Sequence, residues 1–181
     1  MPAPTAALTR ILLLATAATL LPAAAPRAQT PPAHEIPQAI RLAHEEDIKE
    51  LNEFAVDTGA LGVAARHALD LVKKHHAREE EYIMPPLTLL SAVTEGKITK
   101  DMAWAVAMAD RIKATREEIF EEHTAITDAM NNLLLEASLV RNQDAIDYAL
   151  NAVADSLEDM EVEEPAAIMV GEVIRAKLAA P

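Results

Sequence analysis

The stretch HHAREEEYIMPPL, residues 75–87, contains the most informative pattern in this chain. Two histidines and three glutamates precede two prolines, and prolines end or kink a regular helix. His75 and Glu79 are four residues apart, so on a helix they lie one turn from each other, about 40° apart on one face. Val72 and Ala68 continue that face towards the N-terminus. The pattern therefore predicts a helix that turns an imidazole and a carboxylate towards a core just before it ends.

The rest of the chain also has the composition of helices. Between residues 38 and 164 the only prolines are the pair in this stretch, and the only glycines are Gly59, Gly62 and Gly96. No window shows the alternation of apolar and polar residues that is typical of a strand. Short breaks separate helical segments at about residues 37–57, 61–84, 100–140 and 143–178. Such segments predict an all-α fold, an antiparallel up-down-up-down four-helix bundle over residues 37–178.

The N-terminus has a different composition. Arg10 is the only charged residue before the apolar run ILLLATAATLL at residues 11–21, and a Pro/Ala-rich stretch follows. This order is typical of a secretory signal peptide, and a run of this length is too short to span a bilayer, which argues against an uncleaved anchor. We therefore expect a signal peptide at residues 1–28 and a disordered leader at residues 29–36. The mature protein would be periplasmic or secreted, without stable membrane insertion.

Charge and cysteine content narrow the classes of partner. Without Arg10 and Arg27 the mature chain keeps 14 of the 16 basic residues against 29 acidic ones, a formal charge of −15. Nucleic-acid binding needs clustered Lys and Arg, so we expect no nucleic-acid partner. The chain has no cysteine, so any metal site must use His, Asp and Glu. Such donors suit iron, manganese or zinc better than copper(I).

Each predicted helix has a seam of inward positions, and near one level every seam is interrupted by polar residues. The polar residues in the seams are His44, His75, Glu79, His123 and Glu164. Burying an unpaired imidazole or carboxylate is costly. Because all four helices have such groups at one level, we expect the groups to be partners of one another. A single cation bound between them would satisfy several of these groups at once. In the fourth helix an unbroken helical period carries the seam through Leu150, Leu157 and Met160 to the carboxylate.

The register of the second helix has to be chosen, because His76 and Glu80 repeat the same spacing. His75 continues the seam through Val72, whereas His76 lies about 100° further round the helix. We expect His75 to face the core and His76 to cover the rim or to support a ligand. An isolated pair of this kind is usually a solvated surface pair, and His67, which has no seam position, is expected at the surface.

These motifs resemble the hemerythrin-like (HHE cation-binding) family. AHEEDI (43–48) supplies its first histidine, HHAREEEYIMPPL its second motif, and EEHTAITD (121–128) a further histidine. The resemblance spans about residues 38–175 and is most specific in the second motif. It implies a hemerythrin-like four-helix bundle that holds non-haem iron, mono- or dinuclear. The implied metal ligands are His44, His75, Glu79, His123 and Glu164.

The fourth helix departs from the family pattern, which has a histidine about four residues before the carboxylate. In LEDMEVEEPAAIMV (157–170) Met160 stands at that place and Glu164 is kept. Pro165 follows directly, and we expect it to kink the helix. The third helix also lacks a clear second histidine, so the site would be richer in carboxylate or would hold one metal. The carboxylates available to compensate are Asp128, Asp159 and Glu163.

The resemblance implies a protein that binds or senses O2, NO or iron at a (di)iron centre. We see no nucleophile–base pair and no organic-cofactor motif, so we expect no classical enzyme, although peroxidase or ferroxidase side reactions fit such a centre. One alternative is a metal-free interaction or structural bundle with a degenerate site, in which basic residues pair with Glu79 and Glu164. The candidates for that pairing are Arg66, Lys73, Arg78, Arg111 and Arg116. A single-site divalent cation binder is the other alternative.

Overall fold

The structure, a computed structural model, describes residues 34–180. This part of the chain is an all-helical bundle and contains no strand. The α-helices are α1 (Gln38–Ala55), α2 (Ala60–Arg78), α3 (Leu90–Thr94), α4 (Trp104–Ala114), α5 (Arg116–Val140), α6 (Gln143–Glu158) and α7 (Glu164–Ala179). Short 3₁₀ segments lie at Pro85–Leu89 and Lys100–Ala103. The proposed signal peptide lies outside the described residues, as does most of the leader, and residues 34–37 precede α1 without helical structure.

The predicted second helix ends as the prolines suggest, but through a π-turn. α2 continues into a single π-helical segment, Glu79–Ile83, in which the amide N–H of Met84 donates to the carbonyl of Glu79 over 2.9 Å. The 3₁₀ segment of the two prolines follows at once. A π-turn adds one residue to a helical turn and is often found at functional sites. The helix therefore widens at Glu79, the residue that the sequence singles out.

The predicted third helix is broken at Thr115, which separates α4 from α5 with backbone angles of φ −106° and ψ 12°. Its hydroxyl donates to the carbonyl of Arg111 one turn back and also lies 2.9 Å from the hydroxyl of Tyr82. A threonine that bonds back to its own helix bends it. The prediction of one continuous helix over residues 100–140 is therefore wrong at this point, because the Thr115 side chain competes with the backbone.

The predicted fourth helix is interrupted by a second π-turn, Asp159–Glu163, between α6 and α7. Pro165, the second residue of α7, has no N–H to donate to the preceding turn, so a regular helix cannot pass through this point. The extra residue changes the phase of the inward face. Leu150 and Leu157, predicted in the seam, are therefore exposed, whereas Ala149 and Ser156 take the inward positions.

Four pairs of α-helices make most of the contacts around a layered core. α1 packs on α2, α2 on α5 and α5 on α6, while α4 packs on α7. On α5, Ile126 belongs to one apolar cluster and Ile119 to a second, and His123 lies between them. Val72 on α2 and Tyr82 in the π-turn that follows it belong to the same two clusters. The polar seam residues of α2 and α5 therefore lie in a layer between two apolar layers.

Close helix packing depends on small residues at one crossing. A Cβ on Gly171 of α7 would overlap the Cβ of Ala109 on α4 and would lie 2.8 Å from the carbonyl oxygen of Ala105. All three residues are buried. The glycine is therefore required by the distance between α4 and α7, not by its backbone conformation.

No helix among the described residues combines the length and the apolar character that crossing a membrane requires.

Candidate metal centre

The structure buries all five residues that the sequence singles out as candidate ligands. Their relative exposures are 8% for His44, 3% for His75, 1% for Glu79, 1% for His123 and 6% for Glu164. Unpaired charges at such depth would be costly. The five side chains come from α1, α2, the first π-turn, α5 and the first residue of α7, and they lie close enough to interact directly.

Glu79 stands between two histidines of different helices. Its Oε2 lies 3.2 Å from Nε2 of His44, and its Oε1 lies 3.2 Å from Nε2 of His75. The ring of His75 meets the ring of His123 edge to face, with centroids 4.3 Å apart. Nε2 of His123 in turn lies 2.9 Å from Oε1 of Glu164. One continuous polar chain therefore joins all five residues across the bundle.

A second set of polar groups fixes the orientation of the imidazoles. Nδ1 of His44 donates to Glu80 over 3.0 Å, and Nδ1 of His75 donates to Glu122 over 3.3 Å. These bonds hold a proton on each Nδ1 and direct each Nε2 at Glu79, where it carries a second proton or, once that proton is lost, a lone pair. Hydrogen-bonded outer carboxylates orient metal-binding histidines in the same way.

Three buried atoms in this layer have no hydrogen-bond partner, namely Nε2 of His75, Oε1 of Glu79 and Nδ1 of His76. The first two are 3.2 Å apart but are not aligned as donor and acceptor. Buried polar atoms are nearly always satisfied, so unpartnered atoms that converge need an explanation. A cation held between an imidazole lone pair and a carboxylate oxygen satisfies both. The residues therefore fit a metal ion.

Two groups of side chains place ligand atoms within 4.8 Å of one another. The first group is His44, His76 and Glu79, and the second is His75, His123 and Asp159. Glu79 also contacts His75 of the second group through its other oxygen. The described residues therefore contain buried His, Glu and Asp groups close enough to hold a metal ion, and one carboxylate lies between the two groups.

The sequence assigned His76 and Asp159 only supporting roles, but the structure places both in the groups of candidate ligands. The ring of His76 stacks on that of His44, with centroids 3.7 Å apart, and its Nε2 lies 3.6 Å from Oδ2 of Asp47. Asp159 begins the second π-turn and takes the inward position that an unbroken period gives to Met160. The proline after Glu164 was the available signal for this phase change.

Two other residues weighed in the sequence analysis lie at the surface. Asp128 is exposed and does not compensate for the missing histidine, and His67 is exposed as expected. Residues that the sequence did not connect with the site are Glu122, Ser156, Asp47 and Tyr148. Their only sequence signal is a helical spacing relative to the histidines, which many surface residues share.

Three of the five basic residues proposed as partners for a metal-free bundle form contacts elsewhere. Arg66 donates to the carbonyl of Asp57, Arg78 pairs with Glu118, and Arg111 pairs with Glu81. Within residues 34–180 no lysine or arginine forms an ion pair with Glu79 or Glu164. The two inward carboxylates therefore face imidazoles and not permanent cations.

The protonation states follow from this arrangement. Burial by itself would lower the pKa of His75, but the carboxylates of Glu79 and Glu122 outweigh it and raise the pKa to about 9. Burial and the neighbouring carboxylates raise the pKa of Asp159 to about 8. Burial and the charge of the adjacent histidine lower the pKa of His76 to about 3. Without a metal, protons on His75 and Asp159 take the place of a cation.

Comparison with models of protein families, with curated proteins and with solved structures found no match to this chain.

Proposed function

We propose that this chain is an exported, hemerythrin-like protein that binds non-haem iron inside an antiparallel four-helix bundle. The centre would hold two ions, one at His44, His76 and Glu79 and one at His75, His123 and Asp159, with Glu164 beside the second. Its function would be to bind or sense a small molecule such as O2 or NO, or to hold iron itself.

One observation carries this proposal. Each oxygen of Glu79 faces the Nε2 of a histidine from a different helix, at 3.2 Å in both cases. The Nδ1 atoms of the same two histidines are held by outer carboxylates, so each Nε2 is directed at Glu79. Two imidazole nitrogens and a carboxylate in such proximity need positive charge between them, either protons on Nε2 or a cation. His44, His75 and Glu79 would hold cations in place of those protons.

The surroundings favour a small ligand. A cavity of about 40 Å³ adjoins His75, His123 and Asp159, and apolar side chains such as Val72 and Met130 form part of its wall. A water molecule occupies about 30 Å³ in the liquid, so this space suits a molecule of two or three heavy atoms. Bound iron would supply the redox and ligand-binding chemistry. Glu80 and Glu122 would hold the imidazoles in place.

A centre with one cation is the second candidate, and His123 favours it. Its Nδ1 lies 2.8 Å from Oγ of Ser156 and its Nε2 lies 2.9 Å from Glu164, so both ring nitrogens already have partners. A second cation would have to displace one of these hydrogen bonds. In this case only the group around Glu79 would be filled.

The decisive experiment is iron loading of the mature chain under anaerobic conditions, followed by desalting and measurement of iron per chain. The parent would be compared with Glu79→Gln and with a control variant, His67→Ala. His67 is suited to this control because it is an exposed histidine on α2, the helix that carries His75. We expect two irons in the parent and in His67→Ala, a new near-ultraviolet band after exposure to air, and large loss of iron in Glu79→Gln.

The alternatives give different results in the same experiment. One iron per chain in the parent and no near-ultraviolet band would support the single-cation centre. No iron in the parent would refute the metal-binding proposal and leave a helical interaction bundle.

A further inference from the structure

An acidic groove of about 710 Å³ runs between α1 and α6, two helices that do not pack closely on each other in the described chain. Eighteen residues line it, of which ten are Asp or Glu and none is Lys or Arg. Its acidic residues include Glu46, Glu50 and Glu53 of α1 and Asp144, Asp147 and Asp155 of α6. Carboxylates lining a cleft focus the electrostatic field and raise the local concentration of cations.

The acidic groove leads to the candidate metal centre. Its lining includes His76 and Asp159, one from each group of candidate ligands. The small cavity beside the centre shares Asp47, Tyr148 and Asp155 with the groove, as well as those two ligands. The groove and the centre are therefore separated by one layer of shared side chains and not by the apolar core.

A buried hydroxyl in this shared layer lacks a partner. Tyr148 is 7% exposed, and its hydroxyl has no hydrogen-bond partner among the described residues. Burial, together with the nearby carboxylates of Asp47, Glu50 and Asp155, raises the pKa of Tyr148, so the phenol remains neutral. A neutral phenol among carboxylates can accept a hydrogen bond from water that is bound to a cation. Buried polar groups rarely lack a partner, so this hydroxyl indicates that the layer binds a polar ligand.

We infer that the acidic groove is the entrance by which a hydrated divalent cation reaches the centre. This inference rests on the proposed metal-binding function. The outer carboxylates of α1 and α6 collect the cation, and Asp47, Tyr148 and Asp155 bind its water shell at the narrowest layer. His76 and Asp159, which face both the groove and the centre, then replace water as ligands.

The test measures the rate of loading separately from the amount loaded, with Co(II) as an air-stable probe in stopped-flow absorption. A groove variant, Glu50→Gln/Asp147→Asn/Asp155→Asn, removes three carboxylates of the groove. A matched control, Asp70→Asn/Glu121→Gln/Asp128→Asn, removes the same residue types at exposed positions outside it. Neither variant alters a candidate ligand, and circular dichroism confirms that both are folded.

We expect the groove variant to load about tenfold more slowly than the control at low ionic strength, with the same final cobalt content. The difference should shrink as salt is added, since salt screens exposed charges over about 10 Å at 0.1 M. Tyr148→Phe should slow loading without this dependence on salt, because it removes no charge.

Two results would overturn the inference. Equal rates in the groove variant and the control, with cobalt bound by all proteins, would show that the cation enters elsewhere while leaving the metal centre intact. A parent that binds no cobalt at equilibrium would instead refute the proposed function, and the inference would fall with it.

Discussion

Metal binding should release protons, because candidate ligands carry protons when no cation is present. His75 and Asp159 contribute most. His44 adds to them because, against the effect of burial, Glu79 and Glu80 raise its pKa. The pKa of His75 is raised to about 9 and that of Asp159 to about 8. Each pKa unit is a tenfold change in the ratio of protonated to deprotonated group, so at pH 7 roughly 99% of His75 and roughly 90% of Asp159 are protonated. Both must lose the proton to act as ligands. Loading should therefore release about two protons per chain.

The expected release depends on pH in a defined direction. At pH 9 roughly half of His75 and roughly 10% of Asp159 remain protonated, so these groups release only about 0.6 proton per chain. Glu79 adds nothing. Burial would raise its pKa, but its interactions with His44 and His75 hold the pKa below the usual range, so it is ionised throughout.

Isothermal titration calorimetry in buffers of different ionisation enthalpy counts these protons, since the observed heat varies linearly with buffer enthalpy. Asp159→Asn provides the internal comparison and should release about one proton fewer at pH 7. A parent that binds metal but releases fewer than about 0.3 proton per chain at pH 7 would refute the reasoning. The histidine would then already be neutral, with its lone pair and the Glu79 carboxylate held together by some other contact.

Three further predictions concern stability. In the metal-free protein, the pKa of His75 is higher in the folded state than the ordinary value of 6.5, so the stabilisation is complete below pH 6.5 and is lost as pH rises through 9. Chemical denaturation should show the free energy of unfolding falling by about 3 kcal/mol from His75 over this range, with a further fall up to pH 8 from the raised pKa of Asp159, and a flat profile would contradict the ion pair. Glu79→Gln should cost about 3 kcal/mol at pH 6, because it leaves buried imidazolium unpaired, whereas Glu81→Gln, an exposed neighbour, should cost less than about 1 kcal/mol; equal losses would count against a buried charge pair. Gly171→Ala should destabilise the fold by about 1–2 kcal/mol, since overpacking against α4 exceeds the gain in helix propensity. Adding Ala109→Gly should restore part of that loss in a double-mutant cycle, and additive losses would exclude direct contact.

The sequence determined much about this protein by itself. Helix composition with few prolines and glycines favours an all-helical fold, and the period of 3.6 residues indicates which faces are buried. On α2 and at the start of the π-turn that follows, the period correctly placed Val72, His75 and Glu79 on one buried face, because local helical geometry and hydrophobic burial agree there. The inward positions of His44, His123 and Glu164 follow from the same two principles.

Only the tertiary structure decided the roles of Asp159 and Met160. A helical period is a rule for regular turns, and the π-turn before Pro165 adds a residue that the period cannot include. Asp159, and not Met160, therefore joins the candidate ligands although both are half-buried, and Leu157 becomes exposed. A sequence with proline at this place signals a disturbance, but not its size or direction.

The residues that orient the histidines also could not be predicted from the sequence. Glu80, Glu122 and Ser156 resemble many other polar residues on exposed helix faces, and their roles depend on which helices lie side by side. The acidic groove has the same origin, because its carboxylates come from α1 and α6, about one hundred residues apart, and face each other only once the bundle has formed. Local spacing specifies the chemistry of single helices, while contacts between distant segments decide which of those groups act together.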